Sequence, residues 1–413
     1  MPGSQSPLFA LALLVVAAFC VRAWRLDFPP DLYFDEIYYV KAAGHYLRGE
    51  ADPNNVHPSL AKLHIASGIS LSETLNGLAG RMIVPTPAGW RVASLLVGVG
   101  MIPLTYLLGL RLSGGRTGVA LMAAFLVSTD FLHLVQSRIA MLDMFLAFWT
   151  LAGWLYAWLY IERGGDFRYA FASALCLGIA TSCKWSGLLG AAGAFFCMAL
   201  LVERRTLVRS LGLASLFAAV ILAVYALSYA PLIGREGSDG AFGKIVGYHE
   251  KMVKFRYNPK EFHHRYISQF WEWPLVRSPI WYYYESENSM VQGIVAFGSI
   301  PFWWAASACL AQAAFLGWKK QDRARAFVAI TFILSWVPWI VSTTGGFFYY
   351  MLPMIPLMAV AASMAAADGS ARKGAGVYLL VIAGWLLLYY PLLTGWPVSE
   401  RYFRTLFFVR SWI

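Results

Sequence analysis

The sequence predicts an all-α polytopic membrane protein, and three observations carry that prediction. Hydrophobic residues make up 59% of the chain and charged residues only 13%, with a mean hydropathy of +0.57. Soluble domains are roughly half apolar and about a quarter charged. Apolar runs recur at lengths near the ~20 residues that a helix needs to cross a bilayer core. Finally, the cations collect in alternate short loops, as expected where cytoplasmic loops retain Lys and Arg.

Eleven spans are expected, near residues 8–26, 90–110, 117–136, 141–161, 169–183, 185–202, 207–232, 290–317, 326–343, 347–366 and 375–396. With the N-terminus cytoplasmic, the inner loops carry five groups of cations. These are Arg111 and Arg116; Arg163 and Arg168; Arg204, Arg205 and Arg209; Lys319, Lys320, Arg323 and Arg325; and Arg372 and Lys373. The short outer loops carry only Arg138, Lys184 and nothing around Thr344. Lys184 must therefore mark a real turn, because one long helix there would reverse everything downstream. The first span lacks a basic leader and a small-residue cleavage site, so it reads as a retained anchor. The C-terminal tail, from about Pro397, is then external.

The chain reads as one domain, 1–413, with two long external loops at 27–89 and 233–289. The first holds an amphipathic stretch, Ile37 to Leu47, and a second apolar stretch, Leu60 to Leu71; both suit helices on a membrane surface. The second holds a dense aromatic block, Trp271 to Tyr284, of the kind found in interfacial belts. The net charge of +11 is spread over loops, with no lysine-rich tail or basic run, which argues against nucleic acid. The five cysteines all lie in apolar runs and form no CxxC pair, so they read as packing residues.

Ionisable residues near the ends of spans are costly and mark function. They crowd the outer face here: Asp35, Glu36, Arg91, Asp130, His133, Arg138, Asp143, Lys184, His263, His264, Glu272 and Arg277. A transporter needs such groups at the midplane and a channel needs rings or a filter. A substrate with its head group at the lipid surface fits better. A carboxylate of the Asp35–Glu36 pair can act as general base on a sugar acceptor. The cations Arg91, Arg138 and Lys184 can clamp a phosphate as it leaves. Each residue also has a plainer role. The acidic pair suits a solvated loop, Arg91 can reach lipid head groups from a helix end, and Arg138 and Asp143 are spaced to pair. Lys184 suits a turn, and His57, before Pro58, an ordinary loop. Asp35, Glu36 and Asp143 are candidates for a divalent metal, although no tight ligand pattern requires one.

Five segments resemble the protein O-mannosyltransferase family, in the same order. They are YFDEIYYVKAAGHYLRGEADPNNVHPSLAKL from Tyr33 to Leu63, QSRIAMLDMFL at 136–146, LGIATSCKWSGL at 177–188, FWEWPLVRSPIWYYYE at 270–285 and FYYMLPMIPLMA at 348–359. The resemblance implies the C-type glycosyltransferase fold and inverting transfer from a polyprenyl-phosphate-mannose donor to protein Ser or Thr. It implies catalysis by Asp35 with acceptor-side support from Glu36, and donor-phosphate contacts from Arg91 and Lys184; Arg138 and Asp143 match motif residues to which it assigns no definite role. His57, Asp143, Trp271, Glu272 and Trp273 fall in supporting positions. The motif departs from the family at Ser59, where a second Pro is usual, and at FHHRYISQF before the Trp block. The loop 233–289 is too short for the carbohydrate-binding repeat domain of eukaryotic members, which points to a prokaryotic enzyme of the plasma membrane. A relative acting on a lipid or cell-wall glycan, or a lipid-linked-sugar transporter, is the alternative. Sugar, acceptor, polyprenol length and oligomeric state are not specified by these residues.

Overall fold

The structure, a computed structural model, describes residues 6–203, 206–257, 264–342, 344–368, 373–407 and 412. Arg204, Arg205, His263 and Arg372 of the readings above lie outside the described residues. Helices occupy all eleven expected spans. The first is α1 (Pro7–Ala23), opened by the Ser6 hydroxyl, which accepts from the Leu8 amide. After α2 (Glu36–Leu47) and α3 (Leu60–Ala79) in the first loop come α4 (Thr86–Leu112), α5 (Thr117–Thr129), α6 (Phe131–Gln136), α7 (Leu142–Glu162), α8 (Phe167–Cys183), α9 (Gly187–Leu201) and α10 (Leu207–Leu227). Then follow α11 (Ala230–Tyr257), α12 (Ile300–Lys319), α13 (Arg323–Trp336), α14 (Ile355–Ala366), α15 (Ala375–Thr394) and the short α16 (Glu400–Leu406). Seven segments are long and apolar enough to cross a bilayer, and α1, α5, α8 and α9 are shorter apolar helices.

The break at Lys184 is real. Gly187 begins α9 so close to the end of α8 that a Cβ there would lie 2.6 Å from the Thr181 amide nitrogen. Only glycine permits that turn, and the turn projects Lys184 from between the two helices.

Three expected spans differ in detail. The run 117–136 divides at Asp130, whose extended backbone ends α5 and whose carboxylate caps α6 by accepting from the His133 amide at 2.9 Å. The run 347–366 begins as a 3₁₀ turn, Phe348–Met354, with Pro353 inside it. The run 290–317 does not start as a helix. Residues Met290–Ala296 form β2, paired antiparallel with β1 (Ile280–Glu287), and the helix starts only at Ile300. The hairpin turns at Asn288 and Ser289, both with positive φ, as a two-residue turn of this hand requires. A two-residue strand β3 (Val398–Ser399) adds to β2.

The aromatic block is therefore mostly not an interfacial belt. Trp273, Ile280 and Tyr282 are buried, while Trp271 and Tyr284 face outward. The tail packs on the hairpin: Trp281 Nε1 donates to the Trp412 carbonyl and Trp412 Nε1 to the Val276 carbonyl, each at 2.9 Å.

The core lies around α7 and the segment 348–366, whose side chains are largely buried; α10 and α15 instead turn Leu222, Leu227, Leu380 and Leu387 outward. That outer apolar surface is what a bilayer covers. In the first loop, α3 packs on α4, where Gly68 approaches Ala93 so closely that a Cβ would stand 2.9 Å from the alanine's. Helix α11, in the second loop, has a backbone break at Gly237, φ 72°.

Candidate active site

The two adjacent carboxylates, Asp35 and Glu36, open α2 and point different ways. Glu36 is fully buried. Its oxygens accept from Arg91 Nε at 2.9 Å and Nη2 at 3.0 Å, from the Ala140 amide at 2.9 Å and from Trp90 Nε1 at 3.3 Å. Arg91, also fully buried, spends its remaining N–H groups on carbonyls: Nη1 on Leu26 and Pro29, both at 2.9 Å, and Nη2 on Asp31 at 3.3 Å. A guanidinium has five N–H donors, and all five are used. In this arrangement Arg91 has no donor left for the phosphate contact expected of it, and Glu36 is taken up by protein donors. The pair instead ties the chain leaving α1 to the start of α2.

Arg138 is likewise engaged. It donates to the carbonyls of Arg22, Trp24 (2.6 Å) and Arg25 (2.9 Å), closing the C-terminal end of α1. A cation at that end satisfies orphan carbonyls and complements the helix dipole. Among the described residues it forms no ion pair with Asp143, which is bonded to Lys184 instead.

Asp35, by contrast, is half-buried, and among the described residues its carboxylate has no hydrogen-bond partner. Burial raises its pKa to about 6; Lys184 opposes the rise and Asp143 adds to it. A base of this strength suits proton abstraction near neutral pH. Lys184 Nζ donates to Asp143 Oδ1 at 2.9 Å and lies 4.4 Å from the Tyr350 ring centre and 5.3 Å from that of Tyr349. Two rings and one carboxylate hold the ammonium with donor capacity to spare.

His57 completes one wall. Its ring lies 6.2 Å from Tyr39 and 6.5 Å from Phe255. Burial first, then the positive charges of Lys184, Lys62 and Arg256, hold its pKa well below the ordinary value, so it is a neutral imidazole. Its backbone is pinned by Lys62, which is fully buried and donates to the Asp52 carboxylate and to the carbonyls of Asn54 (2.6 Å) and His57 (3.0 Å).

In the Trp block, Trp273 is buried, donates from Nε1 to Ser268 Oγ at 3.0 Å and meets the Tyr350 ring edge-on at 5.9 Å. It backs the ring that Lys184 touches. Glu272 accepts from the Gln269 amide at 2.9 Å and approaches Arg277 at 3.7 Å, a local turn role. Trp271 is 54% exposed. Among the described residues no group of three or more His, Cys, Asp or Glu could hold a metal. Asp35, Glu36 and Asp143 do not converge on one, because Glu36 is committed to Arg91.

Of the expected residues, then, Asp35, Asp143, Lys184 and His57 share one electrostatic environment, with Trp273 behind them. Glu36, Arg91 and Arg138 form a separate clamp. Sequence reasoning missed Tyr349 and Tyr350, although both stand in the quoted segment at 348–359, and Lys62, next to last in the quoted segment from Tyr33 to Leu63. It also missed Arg256, which donates to Ser342 Oγ at 2.6 Å and stands 5.8 Å from the Trp339 ring centre. Nothing in the local sequence marks Arg256, since α11 was not expected as a helix.

Comparison with known proteins bears on these features. The family model for dolichyl-phosphate-mannose-protein mannosyltransferases matches residues 12–234. A polyprenol-phosphate-mannose–protein mannosyltransferase of Mycobacterium tuberculosis is 27% identical over 92% of this chain and 86% of its own. Its counterpart in Mycolicibacterium smegmatis is 25% identical, over 97% and 92%. A chain of the Saccharomyces cerevisiae protein O-mannosyltransferase Pmt1-Pmt2 complex bound to the sugar donor matches with a TM-score of 0.80, over all of this chain and 93% of that one. At 14% identity that likeness speaks to the fold. Because the family model spans more than half of the chain, including the Asp-Glu loop, the Ser-Arg segment and the Lys-Trp turn, this polytopic C-type glycosyltransferase belongs to the dolichyl-phosphate-mannose-protein mannosyltransferase family.

Proposed function

We propose that this enzyme moves mannose from a polyprenyl-phosphate-mannose donor to Ser and Thr hydroxyls of exported proteins, with inversion, at the outer face of the plasma membrane. The observation that carries the reading is the contrast between an unpartnered Asp35 carboxylate and a nearby Lys184 whose ammonium is only partly satisfied. Asp35 removes the proton of the acceptor hydroxyl as its oxygen attacks the anomeric carbon. The bond from that carbon to the phosphate oxygen breaks, and the lipid phosphate leaves with the electron pair. Lys184 meets the charge that develops there, where a pre-set donor counts for most. Asp143 and the rings of Tyr349 and Tyr350 keep Lys184 in position, and neutral His57 supplies one hydrogen-bond donor and one acceptor to sugar or acceptor. The names of the mycobacterial relatives support the donor and the protein acceptor. The loop cations support an N-terminus inside, a C-terminus outside and an external site.

The test is transfer of mannose by detergent-purified enzyme from a synthetic lipid-phosphate-mannose to a Ser/Thr peptide, alongside mass spectrometry of exported proteins from a deletion strain. Hexose lost from Ser or Thr is the expected result. An unchanged exported proteome with an altered lipid or cell-wall glycan would transfer the reading to a glycan acceptor. Reporter fusions near Gly165 and Gln321 are expected to read cytoplasmic, and one near Asn54 external.

A further inference from the structure

The residue before Asp35 is in an unusual state. Phe34 has φ 51°, in the left-handed region, where a bulky side chain is an outlier that surrounding structure must impose. The Phe34 ring stacks on Tyr282 of β1, with centres 4.2 Å apart and planes 25° apart, and meets Tyr349 edge-on at 6.5 Å. The Tyr282 hydroxyl accepts from Gln136 Nε2 at 2.8 Å, and both side chains are buried. Four residues beyond Gln136, the Ala140 amide donates to Glu36 Oε1 at 2.9 Å. Between them, Arg138 grips the end of α1. One five-residue segment, Gln136 to Ala140, thus holds both neighbours of Asp35: Phe34 through Tyr282, and Glu36 directly.

We propose that Gln136, Tyr282 and Phe34 are positioning residues that aim the Asp35 carboxylate, with the segment 136–140 as a common anchor for both sides of it. This rests on the reading of Asp35 as the base. The physical reason is that the peptide preceding Asp35 sets where α2 begins. A left-handed Phe34 ends the chain segment from α1 and turns the Asp35 carboxylate away from the buried Glu36–Arg91 pair. Without the Tyr282 stack, Phe34 would relax to the ordinary right-handed region and carry Asp35 with it. A misplacement of about 1 Å at a reacting group can cost on the order of 10²-fold in rate.

The test compares Phe34→Ala, Phe34→Tyr, Tyr282→Phe and Gln136→Leu, each also combined with Asp35→Asn. The measurements are kcat, donor KM and Tm on purified enzyme. Phe34→Ala, which loses the ring and as an L residue disfavours the left-handed region, is expected to lower kcat about 10²-fold while donor KM stays within about threefold, because Lys184 is untouched. Phe34→Tyr, which keeps the stack, should restore most of the rate. Tyr282→Phe and Gln136→Leu should each cost about 3- to 10-fold in kcat, the range for one neutral hydrogen bond. In the Asp35→Asn background none of the four should lower the residual rate further, since residues acting as a unit are not additive. A fall in Tm with kcat per folded molecule unchanged overturns the proposal, as does an undiminished Phe34→Ala loss in the Asp35→Asn background. Full activity in Asp35→Asn alone would overturn the assignment of the base as well, so the two failures are told apart by that one variant.

Discussion

Two of the ion pairs near Asp35, Arg91–Glu36 and Lys184–Asp143, differ in what they leave unspent. In Arg91–Glu36 the side chains are fully buried and all five guanidinium donors are occupied. In Lys184–Asp143 the ammonium makes, among the described residues, one hydrogen bond, to one carboxylate oxygen, and rests on two aromatic rings. The first pair is complete without any ligand, so adding one can only break it. The second has capacity that a phosphate can take up. The same contrast separates Glu36, with four donors, from Asp35, with none among the described residues. If the proposed mechanism holds, function follows the charges whose hydrogen bonding is unfinished, and two adjacent residues of one motif take different parts.

The largest effects should fall on either side of that divide and look different. Asp35→Asn is expected to keep its Tm and its donor affinity and to lose turnover by about 10²–10⁴-fold, the range for removal of a general base. Transfer assays on folded, donor-binding protein measure it, and normal turnover would dissolve the comparison at once. Arg91→Ala should instead cost stability by about 3–5 kcal/mol, because it strands a buried carboxylate. Thermal unfolding in detergent checks this. Were Arg91→Ala to fold normally and lose only donor affinity, the clamp would be a phosphate site after all.

Much of the fold was legible because the bilayer imposes it. Apolar length marked runs that each contain a helix, and the loop cations demanded the break that is seen at Lys184. What stayed hidden has local causes. The strand Met290–Ala296 is apolar on both faces and continuous with α12, so it reads as helix. Helix α11 holds Gly234, Gly237, Gly240, Gly243 and Gly247, which disfavour a helix, and no long apolar run. The site was half legible. Arg91 and Lys184 look alike in sequence, each a lone cation at the end of a span. They are distinguished by the carbonyls of Leu26, Pro29 and Asp31, which only the folded loop gathers around Arg91. Lys62 looks like a polar residue of an amphipathic helix until Asp52 folds back on it.

A smaller effect probes the open pair. Lys184→Ala removes a charged hydrogen bond worth about 1.5–3 kcal/mol, so donor use should fall roughly 10- to 200-fold with far less loss of Tm than in Arg91→Ala. The same variant carries a pH signature. Asp35 must be deprotonated to act as base, and burial sets its pKa at about 6, with Lys184 lowering it and Asp143 raising it. The kcat/KM of the wild type should therefore be lost as pH falls through about 6. Removing Lys184 removes the lowering influence, so the acid limb should move to higher pH. A limb that moves to lower pH, or not at all, would mean that Lys184 and Asp35 do not share the site.

The smallest effect is expected at the exposed end of the Trp block, and it tests whether burial rather than motif membership ranks these residues. Trp271 and Trp273 are two apart in the same segment, yet Trp271 is 54% exposed and Trp273 is 1%. Trp273 backs Tyr350 and, through it, Lys184; Trp271 touches only Phe270 among the described ring contacts. Truncating a buried Trp costs about 3–5 kcal/mol, whereas surface substitutions usually stay within about 0.5 kcal/mol. Trp273→Ala should therefore lower Tm and donor use together, and Trp271→Ala should leave both near wild type. Measured side by side, equal losses would show that Trp271 meets the acceptor or the lipid during turnover, so that an exposed aromatic group at this face belongs with the unfinished charges of the site.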